Sequence, residues 1–251
     1  MSTWAFLDSP APLAFAHRGV HLDVPENTPM SFLAAAELGY RYIETDVRGT
    51  ADGKVIVCHD ANARRIADLS ARVSSLTLGE LRSAAVVNGT GEIPLLSDVL
   101  ESFPELRFNI DVKDRRAAEL VPEIVRRTAA HDRICIASFS AARIRIVRSR
   151  LSGAVCTGMA VTEFLRFLAR PGYFANVPQP AVLQLPLTMN GIPVVTRKLI
   201  GEAREVGLPV HVWTLNDLPS IQAAIELGVD GIMTDAPVVL KDELVRCGLW
   251  R

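Results

Sequence analysis

Short apolar runs that stop at polar or charged residues recur along the chain, separated by longer amphipathic stretches. Leu13-Ala14-Phe15-Ala16 is the first, and it stops at His17. Compact runs bounded by turn residues read as strands buried on both faces. Residues 42–47, 108–112, 134–139, 154–159, 181–185, 210–214 and 231–234 read the same way. Thr28-Pro29 opens a helix, with threonine as N-cap and proline at N1, and Gly39 stops it. Thr196 caps a helix over 197–205 that Gly207 ends, and Asn216 caps one over 217–227 that Gly228 ends. Some eight strands alternating with helices predict an α/β fold closed into a parallel (β/α)8 TIM barrel, an open doubly wound sheet being the alternative. No Gly-x-Gly-x-x-Gly follows the first strand, so a dinucleotide-binding sheet has no support.

Three stretches depart from this rhythm. Residues 1–12 form a short lead-in. Asp52-Gly53 is a hairpin turn from which 55–58 returns as a strand, and the polar, Arg-rich segment 61–93 follows it. Thr77-Leu78-Gly79-Glu80 is a capping box opening a short helix there, but large apolar residues are too few for the segment to fold alone. It is therefore expected to be a small insertion in a single domain spanning 1–251. The third stretch, 163–180, carries Phe164, Phe167, Tyr173 and Phe174 with three prolines. It reads as a loop packed over the barrel mouth, or as a lip facing lipid or substrate.

Composition narrows the function classes. At 251 residues, 49% apolar and 22% charged, the chain is an ordinary globular protein with a sizeable core. A net charge of −1 and a pI near 6.5 give no basic patch for nucleic acid. No basic leader with a long apolar segment opens the chain, and no apolar run reaches the ~18 residues of a membrane span. A cytoplasmic protein without stable membrane insertion is expected. Cys58, Cys135, Cys156 and Cys247 form no Cys-x-x-Cys pair, and three lie in apolar runs, so buried reduced thiols are expected.

The polar residues at strand ends carry the chemistry. Residues two apart on a strand point the same way, so Glu44 projects with Asp46, and Asn109 and Asp111 with Lys113. Carboxylates converging at one barrel mouth repel unless neutralised, and oxygen ligands suit Mg2+, Ca2+ or Mn2+ better than Zn2+. Strand-end salt bridges are the alternative reading. His17 and His59 each end an apolar run beside a charged residue, and a pair of imidazoles can serve as base and acid in cleaving a phosphodiester. Arg18 offers a fork for phosphate and Lys113 a point charge. His21, His131 and His211 are expected to be surface or packing residues. Trp213 either walls the substrate pocket or packs in the core.

Ala16-His17-Arg18-Gly19, Glu26-Asn27-Thr28, Glu44-Thr45-Asp46, Asp52-Gly53-Lys54-Val55 and His59-Asp60 together resemble the signature of the glycerophosphodiester phosphodiesterase family, within the phospholipase-C-like phosphodiesterase barrels. The likeness continues through Ile93-Pro94-Leu95-Leu96, Asp111-Val112-Lys113, Ser138-Phe139, Trp213-Thr214-Leu215-Asn216 and Thr234-Asp235-Ala236-Pro237. It implies a metal-dependent phosphodiesterase on a (β/α)8 barrel, with His17 and His59 as catalytic histidines. Glu44, Asp46 and Asp111 then match metal ligands, and Arg18 and Lys113 match phosphate-contacting residues. Asp111 departs from the family's usual Glu-x-Lys and is shorter by one methylene, which leaves the choice of ion open.

The resemblance implies hydrolysis of a glycerophosphodiester to glycerol 3-phosphate and an alcohol, in phospholipid breakdown or phosphate salvage. Lysophospholipase D-type hydrolysis of lipid phosphodiesters is the second enzymatic reading. A catalytically retired barrel that binds phosphate compounds is the reading from another class. The sequence leaves open the headgroup, which histidine is the acid, whether water or a glycerol hydroxyl attacks, and whether the protein is a monomer or a homodimer.

Overall fold

The computed structural model describes residues 4–8, 10, 12–88, 92–177 and 179–250. Eleven strands occur among them: β1 (Leu13–His17), β2 (Tyr42–Gly49), β3 (Val55–Val57), β4 (Arg107–Val112), β5 (Ile134–Ala137), β6 (Cys156–Thr157), β7 (Leu183–Pro186), β8 (Thr188–Met189), β9 (Ile192–Pro193), β10 (Val210–Trp213) and β11 (Gly231–Thr234). Eight of them pair in parallel in the order β6-β5-β4-β2-β1-β11-β10-β7. A parallel bridge from Gly158 to Val182 joins the two ends of that order and closes the ring. The predicted (β/α)8 barrel is thus the fold. It differs from an open sheet in having no exposed parallel edge.

Helices follow the strands and cover the outside with apolar faces, as a sheet buried on both sides requires. Thr28 caps the helix Pro29–Glu37 through the Ser31 N–H, as its sequence predicts. Thr196 does the same for Arg197–Glu205. The helix Leu218–Leu227 is capped one residue later than expected. Asp217 accepts from the Ser220 N–H, which leaves Asn216 free for another partner. The stretch 163–180 is no loop. It holds the helix Val161–Ala169, which turns Phe167 into the core while the Glu163 carboxylate accepts from the Ala160 N–H, followed by the 3-10 turn Pro171–Asn176. Of its three prolines, Pro178 lies outside the described residues.

The lead-in has a structural task. Phe6 is buried and stacks edge-on against Tyr42 at 5.3 Å, and its carbonyl accepts from the Tyr42 hydroxyl at 2.9 Å. With Phe15, Cys135, Cys156 and Met233 it fills the end of the barrel where the strands begin. Cys58, Cys135 and Cys156 are free, buried thiols, while Cys247 is exposed.

The insertion is built of the helices Arg64–Ala67 and Leu78–Asn88 with a 3-10 turn between them. The predicted capping box is present: the Glu80 carboxylate accepts from the Thr77 N–H at 2.7 Å, and the Thr77 hydroxyl accepts from the Glu80 N–H at 3.2 Å. Ala63, Ala67, Val73 and Leu81 form a small apolar cluster, but they form it around Ile56 and Cys58 of the barrel hairpin. The segment therefore has a core after all, borrowed in part from the barrel.

His211 lies inside the barrel on β10, fully buried, with its ring 5.2 Å from that of Phe15 and neither nitrogen hydrogen-bonded. Gly231 on β11 makes room for it, since a Cβ there would come within 2.6 Å of the imidazole. Burial disfavours the charged ring and pushes its pKa from 6.5 down to about 3. The unfolded chain takes up a proton below about pH 6.5 that the native chain refuses, so stability falls as pH drops through this window. Between pH 7.5 and 5 this group should cost on the order of 2 kcal/mol. In urea unfolding at the two pH values, His211→Leu should lose less stability than the parent. Equal losses would exclude His211 as the source.

Candidate active site

The strand ends expected to meet do meet. β1 and β2 run in parallel with His17 beside Glu44, and β2 and β4 with Glu44 beside Asn109 and Asp46 beside Asp111. β3 returns antiparallel along β2, and the Cys58 N–H donates to the Asp46 carbonyl at 2.9 Å, so His59 follows immediately next to the same strand. Both histidines thus sit on chain segments paired with β2, the strand that carries Glu44 and Asp46.

The loop after β1 is held by its own backbone. Arg18 has φ of 59° and Gly19 of 83°, which turns the chain back sharply. A Cβ on Gly19 would fall 2.5 to 2.7 Å from atoms of Ser31, so the helix start can approach only a glycine. The Arg18 carbonyl accepts from the Asn27 N–H at 2.9 Å and from the Ser31 hydroxyl at 3.0 Å. Asn27 is itself left-handed at φ 57°, a conformation asparagine tolerates. Its amide donates to Asp46 Oδ2 at 3.1 Å and accepts from the Thr45 hydroxyl at 2.7 Å. The Glu-Asn-Thr motif therefore orients one site carboxylate and caps the next helix.

Each candidate catalytic histidine is clamped in the same manner. His17 Nδ1 lies 2.5 Å from Asp235 Oδ1, and His59 Nδ1 lies 2.9 Å from Asp60 Oδ1. A carboxylate on Nδ1 takes the N–H there, so each imidazole carries its free lone pair on Nε2. His17 Nε2 faces Glu44 Oε2 at 3.5 Å. Asp235 is held in turn by Asn216, whose amide donates to Oδ2 at 3.0 Å and accepts from the Asp235 N–H at 2.8 Å. His21, expected to be a bystander, also reaches Asp235 Oδ1, at 3.3 Å. Its place on the β1 loop gave no sign of this, because Asp235 lies 214 residues away.

Three cations bridge the carboxylates. Lys113 Nζ lies 2.8 Å from Asp46 Oδ1 and 2.6 Å from Asp111 Oδ2. Arg18 spans Asp46 at 3.1 Å and Glu26 at 3.0 Å. Arg65, from the insertion, joins Glu26 and Asp60 at 2.7 Å each. Of the remaining expected residues, Trp213 stands at the end of β10 with its ring edge-to-face on Phe139 at 5.8 Å. Asn109 accepts from the Gln184 amide at 2.8 Å inside the barrel.

Charge is left over. Burial and the neighbouring charges of Asp46 and Asp111 hold the Glu44 carboxyl well above the ordinary carboxylate range. Burial also raises Asp111, in spite of Lys113. For Asp46 burial works in the same direction, but Lys113 and Arg18 outweigh it and keep the group ionised. Glu44 Oε2 and Asp111 Oδ1 are buried oxygens without a hydrogen-bond partner. As the side chains stand, no three His, Cys, Asp or Glu among the described residues close on one point, because the Lys113 ammonium bridges Asp46 and Asp111. Two orphaned oxygens in a cluster of three buried carboxylates nevertheless fit a hard divalent cation, whose charge would offset their mutual repulsion.

The family model described as the glycerophosphoryl diester phosphodiesterase family matches residues 17–239, from the first candidate histidine to past Asp235. The chain belongs to this family. A Mycobacterium tuberculosis relative named Probable glycerophosphodiester phosphodiesterase 2 is 34% identical over 256 residues, which cover 99% of this chain and 96% of the relative. The crystal structure of a glycerophosphodiester phosphodiesterase from Thermotoga maritima is similar at 26% identity and a TM-score of 0.71, over 95% of this chain and 99% of that one. An Oleispira antarctica phosphodiesterase, solved with its product sn-glycerol-3-phosphate, shares the fold at a TM-score of 0.75 and 18% identity, over 93% and 97%.

Asp235 should be visible through His21. The hydrogen bond to Asp235 raises the His21 pKa above 6.5, against the opposing effect of its burial. An NMR titration should therefore place its midpoint above the ordinary histidine value, and Asp235→Asn should lower it. A midpoint indifferent to Asp235→Asn would contradict the contact.

Proposed function

We propose that the chain hydrolyses glycerophosphodiesters to glycerol 3-phosphate and an alcohol, with His17 and His59 exchanging protons and a divalent cation held by Glu44, Asp46 and Asp111. The observation that carries this reading is the pair of aspartate-clamped imidazoles on segments flanking the acidic strand β2. Family membership and full-length similarity to the tuberculosis relative support the reaction class. When bound, Mg2+, Ca2+ or Mn2+ supplies Lewis-acid charge that stabilises negative charge growing on the phosphoryl oxygens.

The chain's own groups do the rest. Arg18, at the lip between Asp46 and Glu26, offers guanidinium N–H groups to phosphate. Lys113 adds a second positive charge once its carboxylate partners are otherwise engaged. Asp235 and Asp60 take the Nδ1–H of each ring and leave Nε2 to the substrate: one ring, neutral, takes a proton there from the nucleophile, and the other, entering as the imidazolium, gives its Nε2 proton to the leaving oxygen. Asp111, with its shorter arm, sets the oxygen geometry that selects among ions. We read the chain as a single barrel domain with its insertion at 61–93, acting in the cytoplasm on a small soluble diester. Among the described residues no helix is long and apolar enough to cross a membrane.

One observation favours lipid phosphodiesters as a second substrate class. Around the half of the mouth built by β5, β6, β7 and β10, Phe139, Leu165, Met189 and Ile192 are exposed, the last to 69%. A lysophosphatidylcholine–detergent substrate turned over faster than glycerophosphocholine would establish that preference.

Release of glycerol 3-phosphate from glycerophosphocholine should vanish in EDTA and return with Mg2+, Ca2+ or Mn2+. His17→Ala and His59→Ala should each lose about 10²–10⁴ in kcat while keeping the parent's thermal transition. Full activity in either variant would remove that histidine from the mechanism. Asp111→Glu should alter the ranking of the three ions, and an unchanged ranking would show that the shorter arm does not select the metal.

A further inference from the structure

The net charge of −1, taken over the whole chain, conceals a segregation. Residues 138–200 hold eight arginines and lysines and one acid, Glu163, so this stretch carries +7 and the remainder −8. Glu163 is itself paired with Arg148. In the ring the stretch forms one sector. It runs from the end of β5 through β6 and β7 to the first turn of the helix Arg197–Glu205, and the closing bridge joins its two inner strand segments.

The same sector holds seven of the thirteen exposed large apolar side chains among the described residues. Two of them form the tip of the β8–β9 hairpin, which follows β7 directly and so stands at the barrel mouth. Asn190 and Gly191 have φ of 51° and 77°, the two left-handed positions of a tight hairpin turn. Met189 and Ile192 pair across that turn and are 57% and 69% exposed. Val161, Leu165 and Leu168 make a second crest. Spaced by four and three residues, they share one face of the helix Val161–Ala169, while Phe167 turns into the core. The Arg166 guanidinium lies 5.2 Å over the Tyr173 ring. Arg170 ends that helix, and Arg197 and Lys198 open the one after the hairpin, all three exposed.

Aliphatic crests flanked by cations suit a surface that is anionic outside and apolar within. Nucleic acid offers phosphates but no apolar medium for Ile192 and Leu165. A neutral apolar partner leaves the positive charge of the sector unmatched. We propose that this sector is a peripheral docking surface for an anionic phospholipid bilayer. The hairpin tip and the helix crest enter between the headgroups, and Arg166, Arg170, Arg197 and Lys198 meet lipid phosphates. The contact is reversible and spans nothing, since among the described residues no helix is long and apolar enough to cross a membrane. This goes beyond the hydrolysis proposed above and does not depend on it: docking holds the barrel mouth at the lipid–water boundary whatever the mouth cleaves.

Binding is read without substrate, by cosedimentation with vesicles of phosphatidylcholine alone and of phosphatidylcholine mixed with phosphatidylglycerol. The parent should bind the mixed vesicles, bind neutral ones far less, and be released by high salt. The double variant Met189→Ser, Ile192→Ser should weaken binding to mixed vesicles about tenfold. Arg170→Gln and Lys198→Gln should each weaken it about fivefold. Val245→Ser removes an exposed apolar side chain from the helix Pro237–Arg246, outside the sector, and should bind as the parent does. All variants should keep the parent's thermal transition. No binding of the parent to mixed vesicles at low salt would overturn the docking surface, as would equal losses in Val245→Ser and the hairpin variant. A dimer that the hairpin variant splits into monomers would assign the sector to a second copy of the chain and overturn it as well.

Discussion

Like charges forced together out of water are the constraint on which this molecule depends. Glu44, Asp46 and Asp111 are fixed side by side by the register of β2 and β4, and all three are buried, which leaves their charge little solvent to disperse it. The neighbouring features read as responses. Lys113 bridges two of the three, Arg18 and Asn27 both hold Asp46 Oδ2, and the Glu44 carboxyl is held well above the ordinary carboxylate range. An arrangement that removed the repulsion entirely would lose the ability to attract an ion or a phosphate. The residual imbalance is what makes the mouth chemically useful.

Around that imbalance the supporting contacts are layered by distance from the carboxylates. Backbone hydrogen bonds within the left-handed loop at Arg18 set the guanidinium, and the pairs His17–Asp235 and His59–Asp60 set the imidazoles. Asn216 and Arg65 then hold the aspartates. Both imidazoles are thus fixed by carboxylates outside the β2–β4 cluster, while Lys113 and Arg18 are fixed by the cluster itself, which is how a polar site is kept rigid at the end of strands whose lower parts are filled with apolar side chains.

Much of this was legible along the chain, for definite reasons. Strand periodicity and helix caps are local, so the barrel, the Thr28 and Thr196 caps and the Thr77 capping box could be read residue by residue. Glu44 pairs with Asp46, and Asp111 with Lys113, because alternation on a strand is also local. The partners of the histidines were not legible, with the exception of Asp60. Asp235 and Asn216 follow β11 and β10, neighbours of each other, and β11 comes to lie against β1 only in the folded ring. Asn216 was further disguised by standing beside Asp217, a better cap, so that a residue bound to the site looked like a helix start. The helix at 161–169 was missed because its aromatic residues and the following prolines resemble a loop more than a barrel helix, whereas Phe167 is simply its inward face.

The pairing of His17 with Asp235 across 218 residues has a consequence for synthesis. β1 finds one of its two neighbours in β2 soon after it is made, but the other, β11, is synthesised far later. Until then the first histidine has no clamp, the ring has a gap, and the acidic strand faces water through it. A nascent chain can accumulate helices and a partial sheet, yet its proton-transfer machinery matures in one late event, when β11 and the helix that follows it dock against a strand made long before. Loop-closure entropy of that length makes the step slow relative to local structure formation. Assembly thus delays reactivity until the barrel that contains it is complete.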